Sequence, residues 1–301
     1  MDTLKSLLEE IRRLNATLER WAPEAPEPID FASDVAFRWT EGLKPGEGKL
    51  VPLALTGKTR LSDLKGIDRQ KKELDLNTRQ FLKGYPANNA LLWGSRGTGK
   101  STLVKALLTE YQADGLRMIE VDRSSLMHLP AIQRLIRNRT ERFIVFCDDL
   151  AFEQDDAGYK TLKATLEGTL SEQPDNVLLY ATSNRRHLLP EYPEDNLSAR
   201  WIDGELHQGE SVEEKISLSE RFGVWLSFLA FDQDEYLEIV AHWLTRHGLP
   251  GDFEEARQEA LAYALLRGSR SGRVAAQFAK SWAGQRQLEQ ENKVHSTGPL
   301  K

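Results

Sequence analysis

Gly94-Ser95-Arg96-Gly97-Thr98-Gly99-Lys100-Ser101 is the stretch that decides the fold, because it fits the pattern G-x-x-x-x-G-K-[ST]. A triphosphate crowds negative charge onto a few small oxygens. Gripping it takes several backbone N–H groups aimed inward at once, and glycines let the chain curl that tightly. Lys100 then offers an ammonium to the β- and γ-phosphates and Ser101 a hydroxyl to magnesium. A helix opening at this point sets the positive end of its dipole beneath the phosphates. The expected nucleotide contacts are therefore Ser95, Arg96, Gly97, Thr98, Gly99, Lys100, Ser101 and Thr102, with ATP or ADP and Mg as ligands.

The flanks suit the loop. Asn89 to Trp93 is a short apolar run that reads as a buried strand, and Thr102 to Thr109 carries apolar residues at helical spacing. From Leu61 onward the pattern predicts regular α/β alternation. Helices are expected over 67–83, 100–111, 129–138 and 159–170, and strands over 89–93, 116–121, 142–147, 176–182 and 223–229. Short apolar strands alternating with amphipathic helices imply a parallel sheet covered on both faces. After Phe231 the chain reads as helical to about Arg286, broken at Gly248–Gly251 and Gly268–Gly272. The fold class expected is an α/β P-loop NTPase sheet followed by a small helical lid. Its divisions are an N-terminal helix and extension (1–60), a nucleotide-binding domain (61–230), a lid (231–286) and a polar tail (287–301).

The N-terminal segment is less determinate. Leu4, Ile11 and Leu18, with Leu7, Leu14 and Trp21, make an a/d pattern over three heptads in residues 2–21. Docking on the same chain and pairing with a partner both fit it. Residues 22–28, rich in Pro and Glu, read as a linker. Phe31, Phe37 and Trp39 are expected to pack on the main body, and Leu50 to Leu55 reads as a strand.

Composition excludes some functions. The 301 residues carry a formal charge of −6, so a nucleic-acid role would need a local basic face. The run Arg134, Arg137, Arg139, Arg142 and the pair Arg185, Arg186 are the candidates for one. The single cysteine, Cys147, permits no disulfide within the chain and suits a reducing cytoplasm. The longest apolar runs, such as Val224 to Phe231, are too short to span a bilayer, and no membrane role is expected.

A second constellation follows the third expected strand, Phe143-Ile-Val-Phe-Cys147, which runs into Asp148 and Asp149. A carboxylate at the carboxyl end of a strand overlooks the crevice where open α/β sheets bind ligands. Asp148 is placed to hold the magnesium shell, and Asp149 to polarise a water for attack on the γ-phosphate. Asn184, ending the next strand, is placed to hydrogen-bond that water or a γ-phosphate oxygen.

Together these residues resemble the AAA+ ATPase superfamily over about residues 61–285. The resemblance implies Walker A at Gly94–Ser101, Walker B at Phe143–Asp149 and sensor 1 at Asn184. It implies an arginine finger at Arg221 in Ser217-Leu-Ser-Glu-Arg-Phe-Gly223, with Arg200 as a rival. Sensor 2 falls on Arg273, with Arg270 as the alternative, and the adenine side on Gly66 and Ile67. Residues Asn77 to Gly94 are similar to a bacterial AAA+ family known only as a domain of unknown function. The resemblance implies a homo-oligomer, ring or spiral, that remodels or gates a protein partner. A DNA-linked helicase loader or initiator-like switch, a P-loop kinase and a slow nucleotide-binding scaffold are the alternatives. Two departures stand out. Most members carry Glu where this chain has Asp149, which implies slow hydrolysis, with Glu153 as a candidate helper. The stretch Ser124 to Pro130 lacks the aromatic–hydrophobic–glycine pore loop of threading enzymes.

Overall fold

The computed structural model describes residues 7, 10–13, 29–42, 47–55, 59–152, 157–167, 174–186, 188, 200–202, 205–207 and 218–296. The body is one seven-stranded sheet. Its strands are β1 (Ala36–Glu41), β2 (Gly48–Pro52), β3 (Ala90–Gly94), β4 (Leu116–Glu120), β5 (Arg142–Cys147), β6 (Val177–Ser183) and β9 (Val224–Phe228). A separate ribbon pairs β7 (Arg200–Ile202) with β8 (Glu205–His207). The order across the main sheet is β2-β1-β4-β5-β6-β3-β9. All neighbours in it run parallel except β1 and β2. Strands β5 and β6 are buried along nearly their whole length, which explains their unbroken apolar sequence.

Helices α1 (Asp68–Leu82), α2 (Lys100–Tyr111), α3 (Leu129–Ile136) and α4 (Ala157–Glu167) lie between the strands in sequence. They cover two cores, one on each face. Leu103, Leu107, Ile144, Phe146 and Tyr180 belong to one, and Leu91, Ile132, Val145 and Leu179 to the other. The lid consists of α5 (Gln233–Arg246), α6 (Phe253–Leu266) and α7 (Gly272–Ser296). Asp232 caps α5 by accepting from the Glu235 N–H, while the Glu235 carboxylate accepts from the Asp232 N–H.

The expected strands and helices from residue 67 onward match these within a few residues. Two differences lie before residue 61. Residues 36–41 form β1, which sequence left ambiguous, and it pairs in parallel with β4. The stretch assigned to the extension thus supplies two strands of the sheet, anchored by Phe37 and Trp39, both buried as expected. The strand expected over 50–55 lies instead at Gly48–Pro52 and pairs with β1 from Glu41 to Phe37, with Gly48 close beside the Trp39 ring. A Cβ there would fall 2.2 Å from Trp39 Cζ2. Of the N-terminal heptad positions, Leu7 and Ile11 are described, and both are exposed; the others lie outside the described residues. Among the described residues no helix is long and apolar enough to cross a membrane.

Candidate nucleotide site

The site sits over the carboxyl ends of β3, β5 and β6. Gly94 ends β3 with φ +128°, and the next N–H, of Ser95, donates to Phe228 O of β9 at 2.9 Å. An added Cβ at Gly94 would stand 2.1 Å from that same carbonyl. No residue but glycine can make this turn so close to its neighbour. Gly99, at φ +99°, precedes the first turn of α2.

Lys100, 6% exposed, donates from Nζ to Gly94 O (2.8 Å), Ser95 O (2.7 Å) and Asn184 Oδ1 (3.2 Å). Burial pulls its ammonium below the ordinary value, while Asp148 and Asp149 push it back up. The loop thus holds a partly desolvated cation with carbonyl oxygens, a state that phosphate oxygens would improve.

Asp148 Oδ1 accepts from Ser101 Oγ and from Thr182 Oγ1, each at 2.5 Å. Asp149 adopts φ +53°, the one positive value outside glycine among the described residues. Its N–H donates to Thr182 Oγ1 at 2.9 Å, and Leu150 N–H donates to Thr182 O at 2.6 Å. Asn184 Nδ2 donates to Asp149 Oδ1. Asn184 therefore links Lys100 to Asp149, as one acceptor and one donor.

These groups line a cavity of about 720 Å³, inside the roughly 300–1,000 Å³ usual for small-molecule sites. Its polar wall holds Arg96 to Thr102, Asp148, Asp149, Thr182 and Asn184. The apolar wall comes from Leu64 and Ile67 of the body together with Phe231, Ile239 and Trp243. Arg273 joins from the start of α7, where its N–H donates to Gly97 O at 3.4 Å. Asp63, buried on the same side, binds Arg246 Nη1 of α5 at 2.6 Å and ties body to lid.

Most of the expected residues meet here, but Gly66, Ser95 and Arg221, with the alternative Arg270, do not line the cavity. Gly66 stands behind the wall rather than in it: its φ is +73°, and an added Cβ would fall 2.8 Å from Phe231 Cε1. Its part is to let Phe231 close the cavity. Arg221 is exposed and lies before the amino end of β9, whereas the cavity lies past the carboxyl end. The five residues of β9 alone span about 13 Å at ~3.3 Å per residue, so Arg221 does not reach the cavity of its own chain. Arg270 does not line the cavity either. Arg200 is a strand residue paired with His207, and Glu153 lies outside the described residues. Sequence reasoning missed Thr182, Phe231, Ile239 and Trp243. A hydroxyl on the otherwise apolar face of β6 was the available signal for the first.

The basic residues stay at the surface, where three of them pack on aromatic rings. The Arg139 guanidinium lies 4.5 Å over the Phe31 ring, and Arg142 lies 5.4 Å over Phe81 while donating to Asp175 O. Arg186 lies over Trp93 and Trp225 at 5.6 and 5.5 Å. Arg134 and Arg137 remain exposed on and just after α3.

Ser101 and Asp148 suit magnesium, being hard oxygen donors 2.5 Å apart beside the phosphate loop. Among the described residues no three acidic, His or Cys side chains gather into a metal cage. The pair therefore fits a cation whose remaining ligands are phosphate oxygens and water.

A mostly parallel sheet with a glycine loop on an inner strand, two carboxylates just after β5, an amide after β6 and a helical lid over the opening defines a P-loop protein of the AAA+ class. The chain belongs to the family described as "Protein of unknown function (DUF815)", whose model matches residues 32–286. It is 32% identical over 148 residues to heat shock protein 100 of Trypanosoma brucei brucei, covering 45% of this chain but only 16% of that one. Among solved structures it is similar to the RuvB Holliday junction branch migration motor of Thermotoga maritima, at 16% identity and a TM-score of 0.43 over 74% of this chain and 71% of that one. A proline-to-glycine mutant of the same motor matches at 15% identity and a TM-score of 0.42, over 82% and 83% of the two chains.

Proposed function

We propose that this protein binds ATP with magnesium and hydrolyses it slowly, at sites completed by a neighbouring copy, in order to remodel or gate a protein partner. One observation carries the reading. Lys100, Ser101, Asp148, Asp149 and Asn184, up to 84 residues apart in sequence, converge on one cavity through direct hydrogen bonds.

The phosphates would take the place of the carbonyl oxygens around Lys100, and the base would enter between Ile67, Phe231 and Trp243. Ser101 and Asp148 are the residues that would hold magnesium, which when bound neutralises phosphate charge. Asp149 would accept the proton of a water whose oxygen bonds to the γ-phosphorus as the bond to the β–γ bridging oxygen breaks. ADP and phosphate leave. Asn184 would orient that water, and Arg273 would face the phosphates from the lid. Asp149 is one methylene shorter than glutamate, so it holds the water less closely and turnover is slow.

Arg221 fits the reading only as a gift to another protomer, since β9 separates it from its own cavity. A guanidinium suits the charge that spreads over the γ-oxygens. The formal charge of −6 favours a protein client over DNA. The test is the ATPase rate per protomer against protein concentration. It should rise with concentration, and Arg221→Ala should lose it while still binding ATP. A rate independent of concentration, unchanged in Arg221→Ala, would show the site complete in one chain.

A further inference from the structure

Thr182 occupies a position where packing alone asks for an apolar side chain. It lies in β6 on the face that carries Leu178 and Tyr180 into the core, and it is 1% exposed. A buried hydroxyl without partners is costly, yet this one is fully used. It donates to Asp148 Oδ1 at 2.5 Å and accepts the Asp149 N–H at 2.9 Å. The backbone carbonyl of the same residue takes the Leu150 N–H at 2.6 Å. One residue of β6 thus grips three successive residues after β5.

The two side-chain bonds act differently. The bond to Asp148 fixes the carboxylate by the oxygen that also takes the Ser101 hydroxyl. When the Ser101 hydroxyl turns its lone pairs to a cation, Thr182 still holds the carboxylate in place. The bond from the Asp149 N–H secures a residue at φ +53°, in the left-handed region that few residues other than glycine adopt. That N–H has another contact, Asp148 Oδ1, but at 3.2 Å. Removing the hydroxyl would therefore loosen both carboxylates together.

Resting on the nucleotide reading above, we infer that Thr182 is a positioning residue: its hydroxyl sets the Asp148 carboxylate for magnesium and the Asp149 carboxylate for the water. It touches neither phosphate nor water in this account. It acts through the two aspartates.

Valine and serine separate this role from packing. Thr182→Val keeps the volume and loses the hydroxyl, whereas Thr182→Ser keeps the hydroxyl and loses a methyl. The measurement is the dissociation constant of a fluorescent ATP analogue, once with Mg²⁺ and once with EDTA, for each purified full-length protein. Wild type should bind more tightly with Mg²⁺. Thr182→Val should keep the EDTA affinity but lose about 10-fold or more with Mg²⁺, the lower end of the ~10–100-fold typical of residues that orient metal ligands. Thr182→Ser should restore wild-type Mg²⁺ dependence and turnover. If Val behaves as wild type with Mg²⁺, or if Ser is impaired as much as Val, the hydroxyl has no such role. A valine variant that does not fold leaves the serine variant to decide: full Mg²⁺ dependence supports the role, and its loss overturns it. Failure of the underlying reading looks different: wild type itself would bind no nucleotide, and this assignment would fall with it.

Discussion

Replacing Gly94 with alanine tests whether the phosphate loop is shaped by its seam with β9. The new Cβ would stand 2.1 Å from Phe228 O, 2.8 Å from its carbonyl carbon and 3.0 Å from its nitrogen. All three are backbone atoms of a paired strand, so no side-chain rotation relieves the overlap. Holding alanine near φ +128° costs about 1–3 kcal/mol. Forcing β3 from β9 adds about 1–3 kcal/mol of overpacking. Together, about 2–6 kcal/mol corresponds to a fall in Tm of roughly 3–10 °C for a chain of this size. Gly115 provides the control: its φ is +92° and nothing lies within 4 Å of an added Cβ. Gly115→Ala should cost only the backbone strain, about 1–2 kcal/mol. Differential scanning fluorimetry gives Tm, and titration of a fluorescent nucleotide gives affinity. Gly94→Ala should weaken nucleotide binding at least tenfold, while Gly115→Ala leaves it unchanged. Equal Tm losses in the two variants, or intact nucleotide affinity in Gly94→Ala, would refute the idea that the seam moulds the loop.

Other outcomes follow from the same geometry. Lys100→Ala should abolish the gain in Tm on adding ATP; an undiminished gain would place the phosphates elsewhere. Asp149→Asn should bind ATP and retain it unhydrolysed, visible as ATP recovered from the protein after incubation. Arg246→Ala breaks the bond to Asp63, but the arginine is 48% exposed, so the cost should be about 1 kcal/mol or less. Its clearer effect should be faster release of nucleotide from a looser lid, measured by stopped flow. Burial holds the Lys100 ammonium below its ordinary 10.5, so the unfolded chain binds that proton more readily than the folded one. The cost of the buried charge is therefore present at neutral pH and relieved as pH rises toward 10.5. Without nucleotide, wild type should gain stability relative to Lys100→Met over that upper range, and a loss over the same range would contradict the sign.

The parts of the fold that sequence revealed are those whose cause is local. The glycine loop needs particular backbone angles, and Gly94, Gly97 and Gly99 supply them. Helix α2 and strand β5 begin and end where expected because each is bounded by a sharp change from apolar to polar or glycine residues. The apolar wall of the cavity was not legible in the same way. Phe231, Ile239 and Trp243 look like ordinary core residues until the lid folds back, more than 130 residues beyond the loop. Strand β1 was hidden because its partner β4 lies some 80 residues further along. Arg139 and Arg142 read as surface charge, and only tertiary packing shows them resting on Phe31 and Phe81.

Helix α7 rests its first turn on the phosphate loop, with the Arg273 N–H on Gly97 O and Ser271 beside Gly97. The helix then runs 25 residues without a break, which at 1.5 Å per residue is about 37 Å. Its foot therefore sits at the fulcrum of a long rigid arm. A tilt of about 10° at the foot would carry the tip through about 6 Å. A displacement at Gly97 would thereby be enlarged along the helix toward its carboxyl end.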